Sequence, residues 1–202
     1  MGAWPVRQAW RRPLWLQVRR WLIAACALAL PLVAIRAVEV AGDVRRDRRA
    51  ASALARGVQL QLEGRYDEAA AALHDAIAIS PRAFAAYAAL GEVEFRRHRY
   101  DEAIAAYRRL MAHYPYTYQA DLHREVGLIE LRAGRPGRAL RSLTQAVELD
   151  GADWLAFYLL GHAHLRVGQA DRAAAAWRRV VELNPSFRPA REHLERLRAP
   201  AP

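Results

Sequence analysis

Small and apolar positions recur along this chain with a period of 34 residues. Arg65-Tyr66-Asp67-Glu68-Ala69 returns letter for letter as Arg99-Tyr100-Asp101-Glu102-Ala103. Gly57 and Gly91 share the 34-residue offset, as do Gly127 and Gly161, Gly134 and Gly168, and Pro81 and Pro115. Ala69, Ala103, Ala139 and Ala173 continue the series, with one step of 36 that places a two-residue insertion near Tyr118-Gln119. A fixed period of this length is the signature of a stacked repeat. Four units follow: 50–83, 84–117, 120–153 and 154–187.

Each unit reads as two helices joined by a turn. Gly64, Gly134 and Gly168 fall where the first helix needs a left-handed cap, and His98 takes that place in the second unit. Pro81, Pro115 and Pro185 hold Ser80, Tyr114 and Asn184 out of helix and so stop the second helix; Asp150-Gly151 does this in the third unit. Small residues at fixed positions let the two helices approach closely. Leu73, Tyr107, Leu143 and Trp177 are expected to fill the gap between one unit and the next. Asp67-Glu68 and Asp101-Glu102 open helices, where carboxylates favour the positive end of the dipole. No unit buries its own apolar face, so the last one needs a cover. Residues 188–202 are expected to supply it as a capping helix and tail, with Leu194 and Leu197 turned inward.

These residues closely resemble the tetratricopeptide repeat (TPR) family. That family places a small residue eighth in its unit (Gly57, Gly91, Gly127, Gly161) and Ala twentieth (Ala69, Ala103, Ala139, Ala173). The resemblance covers residues 50–187. It implies an all-α, right-handed α-solenoid of four helix-turn-helix units plus a C-terminal capping helix. It also implies ligand binding on the concave face, lined by the first helix of each unit. The positions this assigns to a peptide groove include Glu92, Phe95 and Arg96 in the second unit. The third unit supplies Arg124, Leu128 and Arg132, and the fourth Tyr158, His162 and Arg166. Arg96, Arg132 and Arg166 are equivalent and form a candidate guanidinium ladder beside an apolar strip of Phe95, Leu131, Tyr158 and Leu165. The competing reading is that these arginines are solvated helix ends stabilised by the C-terminal dipole. The Lys/Asn clamp that chaperone-binding members use for a free C-terminal carboxylate is missing here. Tyr114-Pro115-Tyr116-Thr117-Tyr118 is a second candidate contact surface, or simply a packed loop.

Charge adds a second feature. The net charge is +10, and all 31 basic residues are Arg. Residues 1–20 hold five Arg and no acid, and 21–49 hold five Arg against three acids. Residues 50–202 are nearly balanced, with 21 Arg and 18 acids, too little excess for a nucleic-acid footprint. The early arginines bracket Trp21–Ile35, a run without charge that reaches Ala41 if Arg36 snorkels and pairs with Glu39. Three readings compete: an uncleaved signal anchor over 21–41, a cleaved signal peptide, and a lipobox at Ile23-Ala24-Ala25-Cys26. The anchor is adopted, because small residues suited to cleavage are poorly placed and the apolar run continues past Cys26. It divides the chain into a basic tail (1–20), a transmembrane helix (21–41), a charged linker (42–49) and the repeats. The acid-free tail is expected in the cytoplasm and the repeats outside it, as a single-pass inner-membrane protein touching the bilayer through 21–41.

Chemistry beyond binding finds little support. A single Cys excludes an intramolecular disulfide and a Cys-based zinc site. The seven His are scattered, and no phosphate loop, nucleophile elbow or paired-His motif is present. No catalytic residue, metal or cofactor is expected. The expected function is a membrane-anchored scaffold that holds a protein or peptide in its groove, in assembly of a bacterial envelope complex. The alternatives are an accessory or regulatory subunit of a membrane enzyme and, less favoured, a nucleic-acid-binding helical repeat protein.

Overall fold

The computed structural model describes residues 14–113 and 118–198, with side chains for Arg36 and from Glu39 onward. Among the described residues the chain is all helical, with nine helices and no strand. They are α1 (Leu14–Leu62), α2 (Tyr66–Ile79), α3 (Phe84–Arg96), α4 (Tyr100–Met111), α5 (Gln119–Arg132), α6 (Pro136–Leu149), α7 (Trp154–Arg166), α8 (Ala170–Leu183) and α9 (Arg188–Arg198). The chain divides into two units, Met1–Arg48 and Arg49–Pro202. The second holds the solenoid: the end of α1 with α2, then α3/α4, α5/α6 and α7/α8, closed by α9.

The turn inside each hairpin is set by one residue. Gly64, His98, Gly134 and Gly168 have φ of 75°, 60°, 72° and 79°. The residue after each donates its N–H to the carbonyl five positions back, as Arg65 does to Leu60 (2.9 Å) and Arg135 to Glu130 (2.8 Å). That bond satisfies a carbonyl the helix end would otherwise leave open. His98 adopts this conformation without glycine's freedom, and its Nδ1 lies 3.0 Å from the Tyr100 hydroxyl. Of the second helices, α4 ends on Ala112 in helical geometry, three residues before Pro115, and the other three end on Ser80, Asp150 and Asn184 with φ of −135°, −133° and −135°. Two of these precede proline; Asp150 reaches the same geometry without one.

Within a hairpin the helices touch at glycine. A Cβ built on Gly57, Gly91 or Gly127 would lie 2.7, 2.6 or 2.5 Å from Leu73, Tyr107 or Leu143, and one on Gly161 would collide with Trp177. As expected, the large residue takes part in the contact with the next element of the stack, but it packs first of all inside its own unit. The reason is reach: it sits on the second helix directly across from the glycine of the first, and no side chain separates them. Trp177 also donates its indole N–H to the Tyr158 carbonyl of its own unit (3.1 Å).

The same four large residues join the apolar side chains that bridge to the next unit. One cluster joins Leu73 and Ala76 to Leu90 and Val93, and the next joins Tyr87, Ile104 and Tyr107 to Val126 and Ile129. Leu143 and Leu131 then meet Leu160 and Ala163, and Trp177 and Val180 meet Ala190 of α9. Each cluster spans a junction, so each unit is stable only with its neighbour. On α9, Ala190 is fully buried and Leu194 and Leu197 pack against the same cluster, which covers the end of the stack.

The first unit of the chain corrects the sequence reading. Among the described residues, no helix is long and apolar enough to cross a membrane. This overturns the expected single-pass protein with a transmembrane helix over 21–41, bilayer contact and extracytoplasmic repeats. The helix α1 is long, but where its side chains are described before the repeats it is polar. Arg36, Glu39, Asp43, Arg45, Arg46, Asp47, Arg48 and Arg49 are exposed, with Arg36 paired to Glu39 at 3.4 Å. Charged residues at this density cost too much in hydrocarbon to continue a span. The side chains of the charge-free run, Cys26 among them, and the basic tail over 1–13 lie outside the described residues.

Glycine-to-alanine changes separate the two roles of glycine here. Gly91→Ala forces a methyl into the Tyr107 ring and should cost about 1–3 kcal/mol. Gly137→Ala, in the first turn of α6 with nothing within 4 Å of the new methyl, should gain about 0.5–1 kcal/mol. Urea midpoints followed by circular dichroism should therefore move in opposite directions. Equal shifts would refute the packing account.

Candidate functional site

The face lined by α3, α5 and α7 carries the groove positions, and their side chains fall into two chemically different stretches. Between α5 and α7 lies a cleft of about 240 Å³, lined by Leu128, Leu131, Arg132, Tyr158, Leu159, His162 and Arg166. Five of the nine residues assigned to the groove by sequence meet here: Leu128, Arg132, Tyr158, His162 and Arg166. The other four do not line it. Glu92 and Arg96 pair with each other one helical turn apart (2.9 Å). Phe95 tilts against Tyr100, with ring centroids 6.1 Å apart, and so packs over the start of α4. Arg124 is withdrawn into an ion-pair cluster.

That cluster has a structural purpose. Asp153 caps α7 through the N–H groups of Leu155 and Ala156 (3.1 and 3.0 Å), and its other oxygen takes Arg124 at 2.5 Å. Arg124 also reaches Asp121 (2.8 Å) and Glu125 (3.5 Å). Burial alone would lower the Arg124 pKa; the hydrogen bond and charge of Asp153, with Asp121 and Glu125, raise it instead. Arg124 is thus spent on fastening α5 to the N-terminus of α7, and a ligand would have to break that pairing to use it. Glu125 is half-buried beside it, and burial pushes its carboxyl above the usual carboxylate range despite Arg124.

The cleft is held by the contacts of its walls. Arg166 donates to the Leu131 carbonyl of the preceding unit (2.6 Å), which fixes its guanidinium at the mouth. His162 meets Tyr158 edge-on, with centroids 4.6 Å apart. Behind them Trp177 stacks on His193 of α9 (4.5 Å), and the Tyr158 hydroxyl lies 3.3 Å from His193 Nε2. Arg132 is exposed and has no ion pair among the described residues. The guanidinium ladder therefore has three different members: Arg96 neutralised by Glu92, Arg132 unpaired, and Arg166 anchored to a carbonyl.

Sequence reasoning missed several of these residues. Leu159 was passed over because it adjoins Tyr158 in a helix whose apolar positions run nearly all round. Glu94 and Glu130 are buried acids at equivalent positions of the second and third units. Arg97 clamps Glu94 (2.8 Å) to Asp67 of the preceding unit (2.6 Å), while Ser142 donates to Glu130 (3.0 Å). The recurrence of Glu at an offset of 36 was the available signal. Asp101, expected only to favour a helix dipole, also binds Arg135 of the next unit. Tyr114, Pro115, Tyr116 and Thr117 of the second candidate surface lie outside the described residues; Tyr118 is exposed. Among the described residues, no group of three His, Cys, Asp or Glu is placed to hold a metal.

The tetratricopeptide repeat is also what comparison with known proteins returns. One family model of that description matches residues 60–124, and a second matches 126–186 and 158–197. None of the curated proteins compared with the chain matches it. Among solved structures it is similar to MamA (residue 41 to the end) from Desulfovibrio magneticus RS-1: TM-score 0.63, 20% identity, covering 85% of this chain and 96% of that one. It is similar to YrrB, described as a TPR protein with an unusual peptide-binding site: TM-score 0.60, 23% identity, covering 72% and 74%. A third is the first TPR of Spaghetti (RPAP3) bound to an HSP90 peptide: TM-score 0.53, 24% identity, covering 56% and 89%. At these identities the likeness establishes the fold.

The histidines of the cleft make stability depend on pH. Burial lowers the His162 pKa from 6.5 to about 4, helped by the charges of His193 and Arg166. Burial and Arg196 lower that of His193 too, against Glu192. A folded-state pKa below the unfolded one means that the unfolded chain takes up protons first. Stability is then full above pH 6.5 and falls as pH drops toward 4, by on the order of 1–2 kcal/mol for His162 once its partial exposure is discounted. His162→Phe keeps an aromatic ring and removes the titration. The difference in urea midpoint between variant and parent should therefore widen in the variant's favour from pH 7.5 to 4.5; a constant difference would refute this assignment.

Proposed function

This chain belongs to the tetratricopeptide repeat family, and on that premise we propose that it works as a non-enzymatic scaffold, binding a protein or peptide along the face formed by α3, α5 and α7. The observation that carries the reading is the α5/α7 cleft, where five groove positions converge on an apolar hollow with two guanidiniums at its edge. Stacked helical hairpins present such a face without any need to refold on binding. Two structural neighbours with the same fold are described as peptide-binding or peptide-bound, which agrees with this use of the surface. The envelope setting depended on the membrane span and falls with it.

Site-specific photocrosslinking with the full chain in its native cells tests the reading. A crosslinking residue at Leu128 or Phe95 should trap a discrete protein partner, and one at Gln145, exposed on α6, should not. Absence of crosslinks from both groove positions, or equal yield from Gln145, would refute it.

A further inference from the structure

The cleft is specific enough in shape and charge to say what kind of side chain it takes. Its volume of about 240 Å³ lies below the ~300–1,000 Å³ of sites for small molecules and cofactors. That is room for one large side chain. Leu128, Leu131 and Leu159 with the rings of Tyr158 and His162 form the lining, so water inside it has few partners and is readily displaced. Arg132 and Arg166 stand at the edge, and no carboxylate lines the cleft. Arg132 is unpaired among the described residues, and Arg166, held to the Leu131 carbonyl by one nitrogen, keeps its other N–H groups for a second acceptor. His162 is neutral at ordinary pH because burial lowers its pKa to about 4, so it adds apolar surface there and no charge.

We propose that the α5/α7 cleft is a specificity pocket that takes a single Phe- or Leu-class side chain from a peptide with carboxylates flanking it. The proposal rests on the peptide-binding reading above and adds the chemistry of the ligand. The apolar side chain supplies burial, and the flanking carboxylates meet Arg132 and Arg166 in charge-assisted hydrogen bonds. Because Arg166 is already oriented by the preceding unit, and the Tyr158 ring by His162 and His193, little ordering remains to be done when the ligand arrives. A peptide with basic flanks would bring like charges to the same edge and be rejected.

Fluorescence anisotropy with the full chain and labelled peptides of one length provides the test. The probes carry the cores Glu-Asp-Phe-Asp-Glu, Glu-Asp-Ser-Asp-Glu and Arg-Arg-Phe-Arg-Arg. The acidic Phe peptide should bind best, and either single change should weaken it about tenfold or more. Arg132→Glu should weaken the acidic Phe peptide by about tenfold and strengthen the basic one. Leu128→Trp, which fills the hollow, should remove the preference for Phe over Ser while leaving the charge preference in place. Circular dichroism of both variants should match the parent. Equal binding of acidic and basic peptides, no response to Arg132→Glu, or no binding by any of the three would overturn the proposal. If crosslinks from Leu128 and Phe95 persist in any of those cases, the pocket chemistry is wrong and the scaffold reading stands. If the crosslinks are absent as well, both fall.

Discussion

Everything in the solenoid follows from four contacts in which glycine on a first helix receives Leu73, Tyr107, Leu143 or Trp177 from the second. Close approach at that point fixes the separation of the two helices, since nothing but backbone stands on one side. With the distance set, the left-handed residue at the end of the first helix sets the return angle. The apolar residues left over on each hairpin then have no partner within it. They are buried only when another hairpin arrives, so the stack is driven by surface that a single unit cannot hide. The first helices, occupied on one side by their own second helix, keep the opposite side for the groove.

Polar ties then choose the register between hairpins. Arg97 joins Glu94 to Asp67, Arg135 joins Asp101, Arg124 joins Asp153 and Arg166 joins the Leu131 carbonyl, each bridging two consecutive units or the cap of the next helix. Exposed pairs among these add little energy. Glu94 and Arg124 differ, because their buried charge penalises any slip that would leave it alone. The excess of arginine is consequently read best as fastening. The charge that looked available to a partner when counted along the chain is, in the second and third units, largely committed to neighbours.

The architecture was legible because the period is strict. Gly134 and Pro185 announce their backbone geometry by residue type and place, His98 by its place alone, and the structure puts each where that reading requires. Less was legible at the site. The inward positions of α5 and α7 could be named, but not that Arg124 would turn to Asp153, since nothing in the local sequence shows that a helix cap from the next hairpin lies within reach. Glu94 and Glu130 look like surface acids, because burial of a carboxylate depends on partners distant in sequence. The membrane span was inferred from a charge-free run flanked by arginines, and that pattern described one stretch without fixing what the helix containing it is built for.

The differentiation of the groove comes from the same bookkeeping of positions. The residues that line the cleft between α5 and α7 have counterparts between α3 and α5: Glu92, Phe95 and Arg96 stand for Leu128, Leu131 and Arg132, while Arg124, Glu125, Leu128 and Arg132 stand for Tyr158, Leu159, His162 and Arg166. Along the upstream row, four of the seven are charges that pair with one another or with Asp153. In the downstream row the places equivalent to those four hold Leu128, Arg132, Tyr158 and Leu159, so a single charge remains there and it has no ion pair among the described residues. One backbone repeat therefore offers a stretch of paired charge and an open apolar pocket side by side. The α5/α7 junction that carries the pocket is itself tied by Arg124 to Asp153 and by Arg166 to the Leu131 carbonyl, so its walls are held in place while Arg132 has no ion pair among the described residues.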